Sequence, residues 1–282
     1  MELITFLRES ASEGLLLPWQ QQMAASVQFS LSISEVEKTA LENGLLPARY
    51  QRNRQTISCE QQLRLFCSRV AVVGCGGLGG YVVEELSRLG IGNIVVIDPD
   101  VFVENNLNRQ LFSNLHNIGK PKVGEAVERT RAINPAVVVT PVMKAFSREN
   151  GRELLHGVDV AVDALDSVAV RLELAELCAE LEIPLVHGSI GGFFGQLITQ
   201  LPGDGTLQKT FRNRKGGKGV EEDLGNPAFM PAVVASLEVA EVCKIILGQG
   251  NLMRRRTLVI DLLHMEFSEV LHHDPVSNLP CR

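Results

Sequence analysis

Val70-Ala71-Val72-Val73-Gly74-Cys75-Gly76-Gly77-Leu78-Gly79-Gly80 is the stretch of sequence that decides the fold. Its β-branched apolar start predicts a buried strand, and the spacing Gly74-x-Gly76-x-x-Gly79 predicts a strand-to-helix turn. The first glycine permits the tight turn, the second lets a phosphate approach the backbone, and the third lets helix and strand pack closely. Because the helix N-terminus then offers free N–H groups to an anion, the stretch predicts a nucleotide-binding unit.

Asp98 adds a ribose-binding acid to this unit. It follows the apolar run Ile94 to Ile97 and lies 98 − 79 = 19 residues after Gly79, close to the spacing of about 20 that is typical of such an acid. The ligand is therefore expected to contain adenosine. On these residues alone, a nicotinamide or flavin dehydrogenase is the simplest hypothesis.

The residues after Asp98 change that hypothesis. They form a dense set of amides and cations: Asn105, Asn106, Asn108, Arg109, Gln110, Lys120 and Lys122. A pyrophosphate that already rests on a helix N-terminus does not require so much positive charge. A metal-bound triphosphate that is attacked at its α-phosphorus does require it, so the sequence favours ATP chemistry over hydride transfer.

Strand-like and helix-like segments alternate from Arg69 onward. Strands are predicted over 69–74, 94–97, 137–142, 158–163 and 184–187, and helices over 81–89, 122–133 and 171–181. This alternation predicts an α/β fold with a Rossmann-like, doubly wound, mostly parallel sheet. In the C-terminal half, strands at 193–201 and 257–262 around a helix at 230–247 are expected to extend the sheet with antiparallel strands.

The chain is predicted to divide into a helical N-terminal extension (1–47), an ATP-binding domain (48–270) and a C-terminal tail (271–282). In the extension, Ser34 and Glu37 predict a capping box for a short helix that ends at Asn43-Gly44. No chemistry is predicted for residues 1–47. Residues 203–225 are rich in glycine and charge and are expected to form a mobile crossover loop.

Composition excludes some classes of function. The 282 residues carry a formal net charge of −6, which does not indicate nucleic-acid or anionic-membrane binding. The cysteines include no C-x-x-C pair, and scattered cysteines are typical of a reducing cytoplasm. Since no run of about 18 apolar residues occurs, we expect a cytoplasmic protein that does not enter the membrane.

Further motifs carry a resemblance to one family. They are Arg49-Tyr50-Gln51-Arg52, the glycine turn, Val96-Ile97-Asp98-Pro99-Asp100, Asn106-Leu107-Asn108-Arg109-Gln110, Gly119-Lys120-Pro121-Lys122-Val123, Ile133-Asn134-Pro135 and Asp163-Ala164-Leu165-Asp166-Ser167. Over about residues 49–269 the sequence resembles the E1-like activating enzymes. That family includes the molybdopterin-synthase and thiamine-sulfur-carrier adenylyltransferases and the ubiquitin-activating enzymes.

The resemblance implies a set of site residues. For ATP these are Gly74, Gly76, Gly77, Gly79, Asp98, Asp100, Asn105, Asn106, Asn108, Arg109, Gln110, Lys122, Asp166 and Ser167. Arg52, Arg109, Lys122 and Asp166 are the implied catalytic residues, with Asp166 binding Mg²⁺. Arg52 would reach into the partner's site of a homodimer.

The implied reaction is attack of a carboxylate on the α-phosphorus of ATP, which gives an acyl-adenylate and pyrophosphate. The carboxylate would be the C-terminus of a small Gly-Gly-ending sulfur-carrier or ubiquitin-like protein. Both reactants are anionic, so the site must neutralise charge before the atoms meet. A general base is not needed, because a carboxylate is already ionised near neutral pH.

Departures from the family pattern narrow this expectation. The cysteines that bind structural zinc in many bacterial members are missing, so no zinc site is predicted. Residues 203–225 contain no cysteine, so the reaction is expected to stop at the adenylate. Ser167 replaces a common asparagine.

Alternatives remain open for both the site and the function. Asp163 could cap the loop in which Asp166 is the functional acid, and Arg52 could belong to a solvated helix face. The whole chain could instead be a tRNA threonylcarbamoyladenosine dehydratase-like enzyme or a non-catalytic nucleotide-binding partner subunit.

Overall fold

The computed structural model describes residues 2–211 and 224–272. The helices in these ranges are α1 (Leu3–Ser10), α2 (Trp19–Phe29), α3 (Ile33–Glu42), α4 (Cys59–Cys67), α5 (Gly77–Leu89), α6 (Lys122–Ile133), α7 (Arg148–Leu154), α8 (Val168–Glu180), α9 (Thr206–Phe211) and α10 (Phe229–Leu247). The strands are β1 (Leu16–Leu17), β2 (Leu46–Pro47), β3 (Arg69–Val73), β4 (Asn93–Ile97), β5 (Val138–Val142), β6 (Val160–Asp163), β7 (Leu185–Gly191), β8 (Phe194–Gln200), β9 (Arg256–Asp261) and β10 (Glu266–Leu271).

One large sheet organises the chain, in the order β10-β9-β8-β7-β6-β3-β4-β5. Strands β7, β6, β3, β4 and β5 are parallel to one another, while β8, β9 and β10 add antiparallel pairs beyond β7. The predicted fold class is confirmed, including the antiparallel extension in the C-terminal half. Strands β1 and β2 form a separate parallel pair.

The central strands are buried on both faces, as their continuous apolar runs predict. In β3, Val70 and Val72 belong to the hydrophobic core shared with α5, α6 and α10, whereas Ala71 and Val73 belong to the core shared with α7 and α8. Successive side chains of a strand point to opposite faces, so one short run supports two helical layers. The carboxyl ends of the parallel strands are left open between these layers.

Two predictions about local structure are corrected. The capping box of α3 is formed by Ser32 and Glu35, not by Ser34 and Glu37. Glu37 is fully buried in α3 and takes part in a different interaction, described below. Part of the predicted loop 203–225 is the helix α9, where Leu207 and Phe211 are buried in the core; residues 212–223, with Arg212, Arg214, Lys215 and Lys218, lie outside the described residues.

Helix α10 is mostly apolar and is the longest helix in the part of the chain that the structure describes, yet it carries the buried carboxyl groups of Glu238 and Glu241. It packs along α5 and across β7 and β8. In residues 2–211 and 224–272, no helix combines the length and the apolar character that crossing a membrane requires.

Candidate active site

A cavity of about 380 Å³ lies at the carboxyl ends of β3, β4 and β6. This is where ligands bind in open parallel sheets, because the loops that follow the strands meet there. Of the predicted site residues, the cavity is lined by Gly74, Gly76, Gly77, Asp98, Asp100, Arg109, Gln110, Lys122, Asp166 and Ser167. Residues from distant parts of the sequence therefore converge on one space.

The glycine turn forms one wall of the cavity. Gly74 has a φ of +98°, and a Cβ there would lie 2.5 Å from the carbonyl oxygen of Ala164. A Cβ at Gly79 would lie 1.9 Å from the carbonyl oxygen of Gly74. Gly79 does not line the cavity but lets α5 start against the turn, so its role is in packing rather than in ligand contact.

Asp98 fixes the turn to the end of β4. One carboxylate oxygen accepts a hydrogen bond from the backbone N–H of Cys75 at 2.7 Å, and the other accepts from the backbone N–H of Asp100 at 2.8 Å. Burial raises the pKa of Asp98, and the charge of Lys122 opposes that rise. Asp98 thus holds the turn in shape while it lines the cavity wall.

Lys122 begins α6 and is almost fully buried. Its Nζ donates to Asp100 Oδ2 at 2.9 Å and lies 3.9 Å from Asp98 Oδ1. Two carboxylates therefore compensate the ammonium. A phosphate that binds Lys122 has to compete with Asp100, whose side chain is 62% exposed.

The three predicted asparagines do not line the cavity. Asn105 and Asn108 instead hold Arg109, whose Nη1 donates to the carbonyl oxygen of Asn105 at 3.0 Å and to Asn108 Oδ1 at 2.9 Å. Asn106 Oδ1 accepts from the backbone N–H of Val103 and closes the 3₁₀ turn Glu104–Asn106. In this structure these amides shape the loop that carries the cation.

The loop after β6 forms the opposite wall and separates its two aspartates. Asp166 is exposed and lines the cavity, whereas Asp163 is fully buried. Asp163 accepts from His187 Nδ1 at 2.7 Å, pairs with Arg171 Nε at 3.1 Å and accepts from the backbone N–H of Leu165. The capping role is therefore confirmed for Asp163, which leaves Asp166 as the acid that a ligand can reach.

A buried polar cluster lies beneath this wall. Burial raises the pKa of Asp163, but Arg171 and His187 outweigh that effect and the net pKa is lowered. Burial and the charge of Arg171 lower the pKa of His187, which favours the neutral imidazole. Glu238 of α10 is also fully buried, and burial raises its pKa well above the ordinary value.

Sequence reasoning missed several cavity residues. They are mainly Ala145, Phe146, Val170, Arg171, Ser189, Ile190 and Asn226. Most of them follow the carboxyl end of β5, lie near the start of α8 or lie at the end of β7. Their position just beyond the ends of predicted strands was the feature of the sequence that could have identified them. Two buried acceptors at the cavity, Gln110 Oε1 and Asn226 Oδ1, have no hydrogen-bond partner, which fits a site that receives a polar ligand.

Arg52 lies away from this cavity and is exposed. It follows Tyr50, whose hydroxyl group contacts Asn134 just before β5 and lies close to Gly90 just before β4. These contacts place the Arg52 segment near the amino ends of the strands, whereas the cavity is at their carboxyl ends. A five-residue strand spans about 16 Å, so the structure does not bring Arg52 to the other site residues of its own chain.

The comparison with known families agrees with this geometry. The sequence profile of the ThiF family matches residues 50–281. The chain belongs to the ThiF family. Its predicted resemblance to the E1-like activating enzymes is thereby confirmed.

Several known proteins are similar to this one over most of its length. The SAMP-activating enzyme E1 of Haloferax volcanii is 36% identical over 227 residues, which are 79% of this chain and 84% of that protein. The molybdopterin-synthase adenylyltransferase of Escherichia coli is 30% identical over 77% of this chain and 90% of that protein. The crystal structure of E. coli tRNA N6-threonylcarbamoyladenosine dehydratase, TcdA, in complex with AMP has a TM-score of 0.61 and 26% identity, covering 71% of this chain and 94% of that chain.

Proposed function

We propose that this ThiF-family protein is an ATP-dependent adenylyltransferase. It activates the C-terminal carboxylate of a small sulfur-carrier or ubiquitin-like protein as an acyl-adenylate and releases pyrophosphate. The similarity to the SAMP-activating enzyme E1 and to the molybdopterin-synthase adenylyltransferase supports this reaction. A carrier that ends in Gly-Gly is the proposed substrate, because a slender tail can enter a cavity of about 380 Å³.

The convergence of opposite charges in one cavity is the observation that carries the proposal. Arg109 and Lys122 lie on the side of the glycine turn and β4, and Asp166 lies on the facing loop after β6. A triphosphate between these walls would meet two cations and the start of α5. Such an arrangement stabilises the charge that develops when a carboxylate attacks a phosphate.

The donor set at Asp166 fits Mg²⁺. The described residues contain no cluster of three or more His, Cys, Asp or Glu side chains that could enclose a metal. Mg²⁺ bound with a nucleotide uses one or two carboxylates, waters and phosphate oxygens, so an exposed Asp166 suffices as the protein ligand. Mg²⁺ would supply further neutralisation of the triphosphate.

The cysteines support a reaction that ends at the adenylate. Those in the described residues, Cys59, Cys67, Cys75, Cys178 and Cys243, are free thiols that do not line the cavity. Burial raises the pKa of Cys178 to about 12 and also raises that of Cys75, so neither is an available nucleophile. Free thiols are also typical of the cytoplasm, where we place the protein; Cys281 lies outside the described residues.

We assign Arg52 to the site of a second copy of the chain. Its position near the amino ends of the strands prevents it from serving its own cavity, so any contact with phosphate must occur across a dimer. A homodimer with two such shared sites is the simplest symmetric assembly. Arg52 would then add a further cation to the partner's triphosphate.

Isotope exchange between ATP and pyrophosphate tests the function. We expect exchange only when a Gly-Gly-ending carrier protein is added, and we expect Asp166→Ala to abolish it. The similarity to TcdA makes tRNA dehydration the second candidate. Exchange that depends on threonylcarbamoyl-tRNA would select that candidate, and exchange with neither substrate would indicate a non-catalytic subunit.

Mixed dimers test the placement of Arg52. Arg52→Ala and Asp166→Ala chains with different affinity tags are co-expressed, and the hetero-dimer is purified through both tags. If Arg52 acts across the dimer, one of the two sites is complete and about half of the wild-type exchange rate returns. An inactive hetero-dimer would refute the assignment without affecting the proposed reaction.

A further inference from the structure

The N-terminal helices, for which the sequence predicts no chemistry, are tied to the segment that carries Arg52. Glu37 of α3 is fully buried, and its carboxylate accepts hydrogen bonds from Arg49 and, at 2.7 Å, from the hydroxyl group of Tyr50. Helix α2 holds the same arginine, since Arg49 Nη2 donates to Gln22 Oε1 at 2.9 Å and its guanidinium lies 5.4 Å from the ring of Trp19. Helices α2 and α3 of the extension thus both contact Arg49.

The same cluster is anchored to the ATP-binding domain. Asn134, fully buried before β5, accepts from Arg49 Nη1 at 2.8 Å and donates to the Tyr50 hydroxyl at 2.8 Å. Asn134 also donates to the carbonyl oxygen of Ser87 in α5 at 3.0 Å. Gly90 allows this closeness, because a Cβ there would lie 2.3 Å from the Tyr50 hydroxyl.

The segment after Tyr50 is short and held at both ends. Backbone hydrogen bonds from Asn53 to Tyr50 and from Ile57 to Asn53 form consecutive turns. Tyr50 is buried at one end and Ile57 at the other, while Arg52 is exposed between them. The direction in which Arg52 projects therefore depends on how Tyr50 and Arg49 are fixed.

We propose that Glu37 is a positioning residue that orients Arg52 for the partner subunit's site through its contacts with Arg49 and Tyr50. This inference rests on the proposed function and on the placement of Arg52 across a dimer. It gives residues 1–47 a task in catalysis although they lie far from their own chain's cavity. Arg49 is mostly buried and requires a counter-charge, which the Glu37 carboxylate supplies at ion-pair distance. Burial raises the pKa of Glu37, and the charge of Arg49 opposes that rise.

Glu37→Gln is the test variant. The amide keeps the size of the side chain but removes the charge and replaces one of the two acceptors, which serve Arg49 and the Tyr50 hydroxyl, by a donor. We expect the exchange rate to fall between about 10- and 100-fold, the effect of displacing a catalytic group by roughly 1 Å, while ATP binding to the same chain is unchanged. Glu42→Gln, an exposed change in the same helix, is the matched control and is expected to retain full activity.

Hetero-dimers separate positioning from a general structural defect. A Glu37→Gln chain paired with Asp166→Ala receives a well-placed Arg52 from its partner, so activity is expected to return to about half of wild type. When the Glu37→Gln chain is paired with an Arg52→Ala chain, neither chain supplies a well-placed arginine, so activity is expected to stay low. Three outcomes would overturn the proposal: the reverse pattern, activity in both pairs, and inactivity in both pairs. Full activity of the Glu37→Gln homodimer would overturn it as well.

Two further measurements keep the result interpretable. If Glu37→Gln does not fold, Tyr50→Phe replaces it in the same pairs, because it removes only the hydroxyl group that joins Glu37 to Asn134. The Arg52→Ala and Asp166→Ala pair is run alongside. Inactivity of that pair refutes Arg52 acting across the dimer, whereas its activity together with a failed Glu37 pattern refutes the positioning role alone.

Discussion

Replacing Asp100 by asparagine separates two roles that this residue could have. The resemblance to the E1-like enzymes places Asp100 among the nucleotide-binding residues, but in the structure it accepts a hydrogen bond from Lys122 Nζ at 2.9 Å. If Asp100 competes with the phosphates for Lys122, then Asp100→Asn binds ATP more tightly. If Asp100 instead contacts the nucleotide or its metal, the same variant binds ATP more weakly.

The exposure of Asp100 sets the size of the effect. Two charges 2.9 Å apart attract each other by about 6 kcal/mol at an effective dielectric constant of 20, which is an upper bound. Since the Asp100 side chain is 62% exposed, solvent screening reduces the contribution to about 0.2–1 kcal/mol. We therefore expect the Kd for ATP to fall by a factor of about 1.4 to 5.

Titration calorimetry with a non-hydrolysable ATP analogue and Mg²⁺ measures this change. The gain should be larger at about 0.05 M salt than at about 0.5 M, because salt screens the partly exposed pair. Glu128→Gln changes the net charge by the same amount at an exposed ion pair in α6 and serves as the control. A threefold or greater loss of affinity in Asp100→Asn, with Glu128→Gln unchanged, would refute the competition.

Two other substitutions test the packing around the site. Gly79→Ala would place a Cβ 1.9 Å from the Gly74 carbonyl oxygen, so we expect about 3 kcal/mol or more of destabilisation in urea unfolding. Gly124→Ala in α6 would place a Cβ 3.9 Å from Pro121 Cβ, an ordinary contact, so it should be neutral or stabilising. Equal stability of the Gly79→Ala and Gly124→Ala variants would contradict the packing argument. Glu238→Gln should stabilise the protein increasingly as pH rises above about 4.3, by at most about 1.4 kcal/mol per pH unit. Burial raises the pKa of Glu238 in the folded protein. The protonated side chain therefore contributes its full stability below the ordinary pKa of a glutamate, and this contribution is lost as the pH rises through the raised pKa. If the unfolding free energies of Glu238→Gln and wild type differ by an amount that does not vary with pH, this reasoning is wrong.

Local sequence predicted the parallel core of the fold closely. Helix α6 begins and ends at Lys122 and Ile133 as predicted, and the strand predicted at 69–74 is observed as Arg69–Val73. These elements follow from apolar periodicity and from glycine or proline at their ends, which act within a few residues. The predicted capping box of α3 lies two residues too late, because Ser32 and Ser34 are each followed by a glutamate three residues later. Only Ser32 has the extended backbone that an N-cap requires.

The site was predicted in part. Gly74, Asp98, Lys122 and Asp166 line the cavity as expected, since residues that follow the carboxyl ends of parallel strands must meet. Asn106 does not line it, because an amide can satisfy a loop as well as a ligand, and spacing does not distinguish the two. The placement of Arg52 across a dimer and the binding of Mg²⁺ at Asp166 stay predictions.

The sequence by itself determined the nucleotide turn, the order of strands and helices and the choice of cations, because each is written in residue types and short spacings. Only the tertiary structure decided how charges pair. Asp163 meets His187, and Glu37 meets Arg49, which in turn meets Asn134 in another part of the chain. Pairing of buried charges depends on which groups share a water-excluded space, and that is set by the packing of helices on the sheet rather than by distance along the chain.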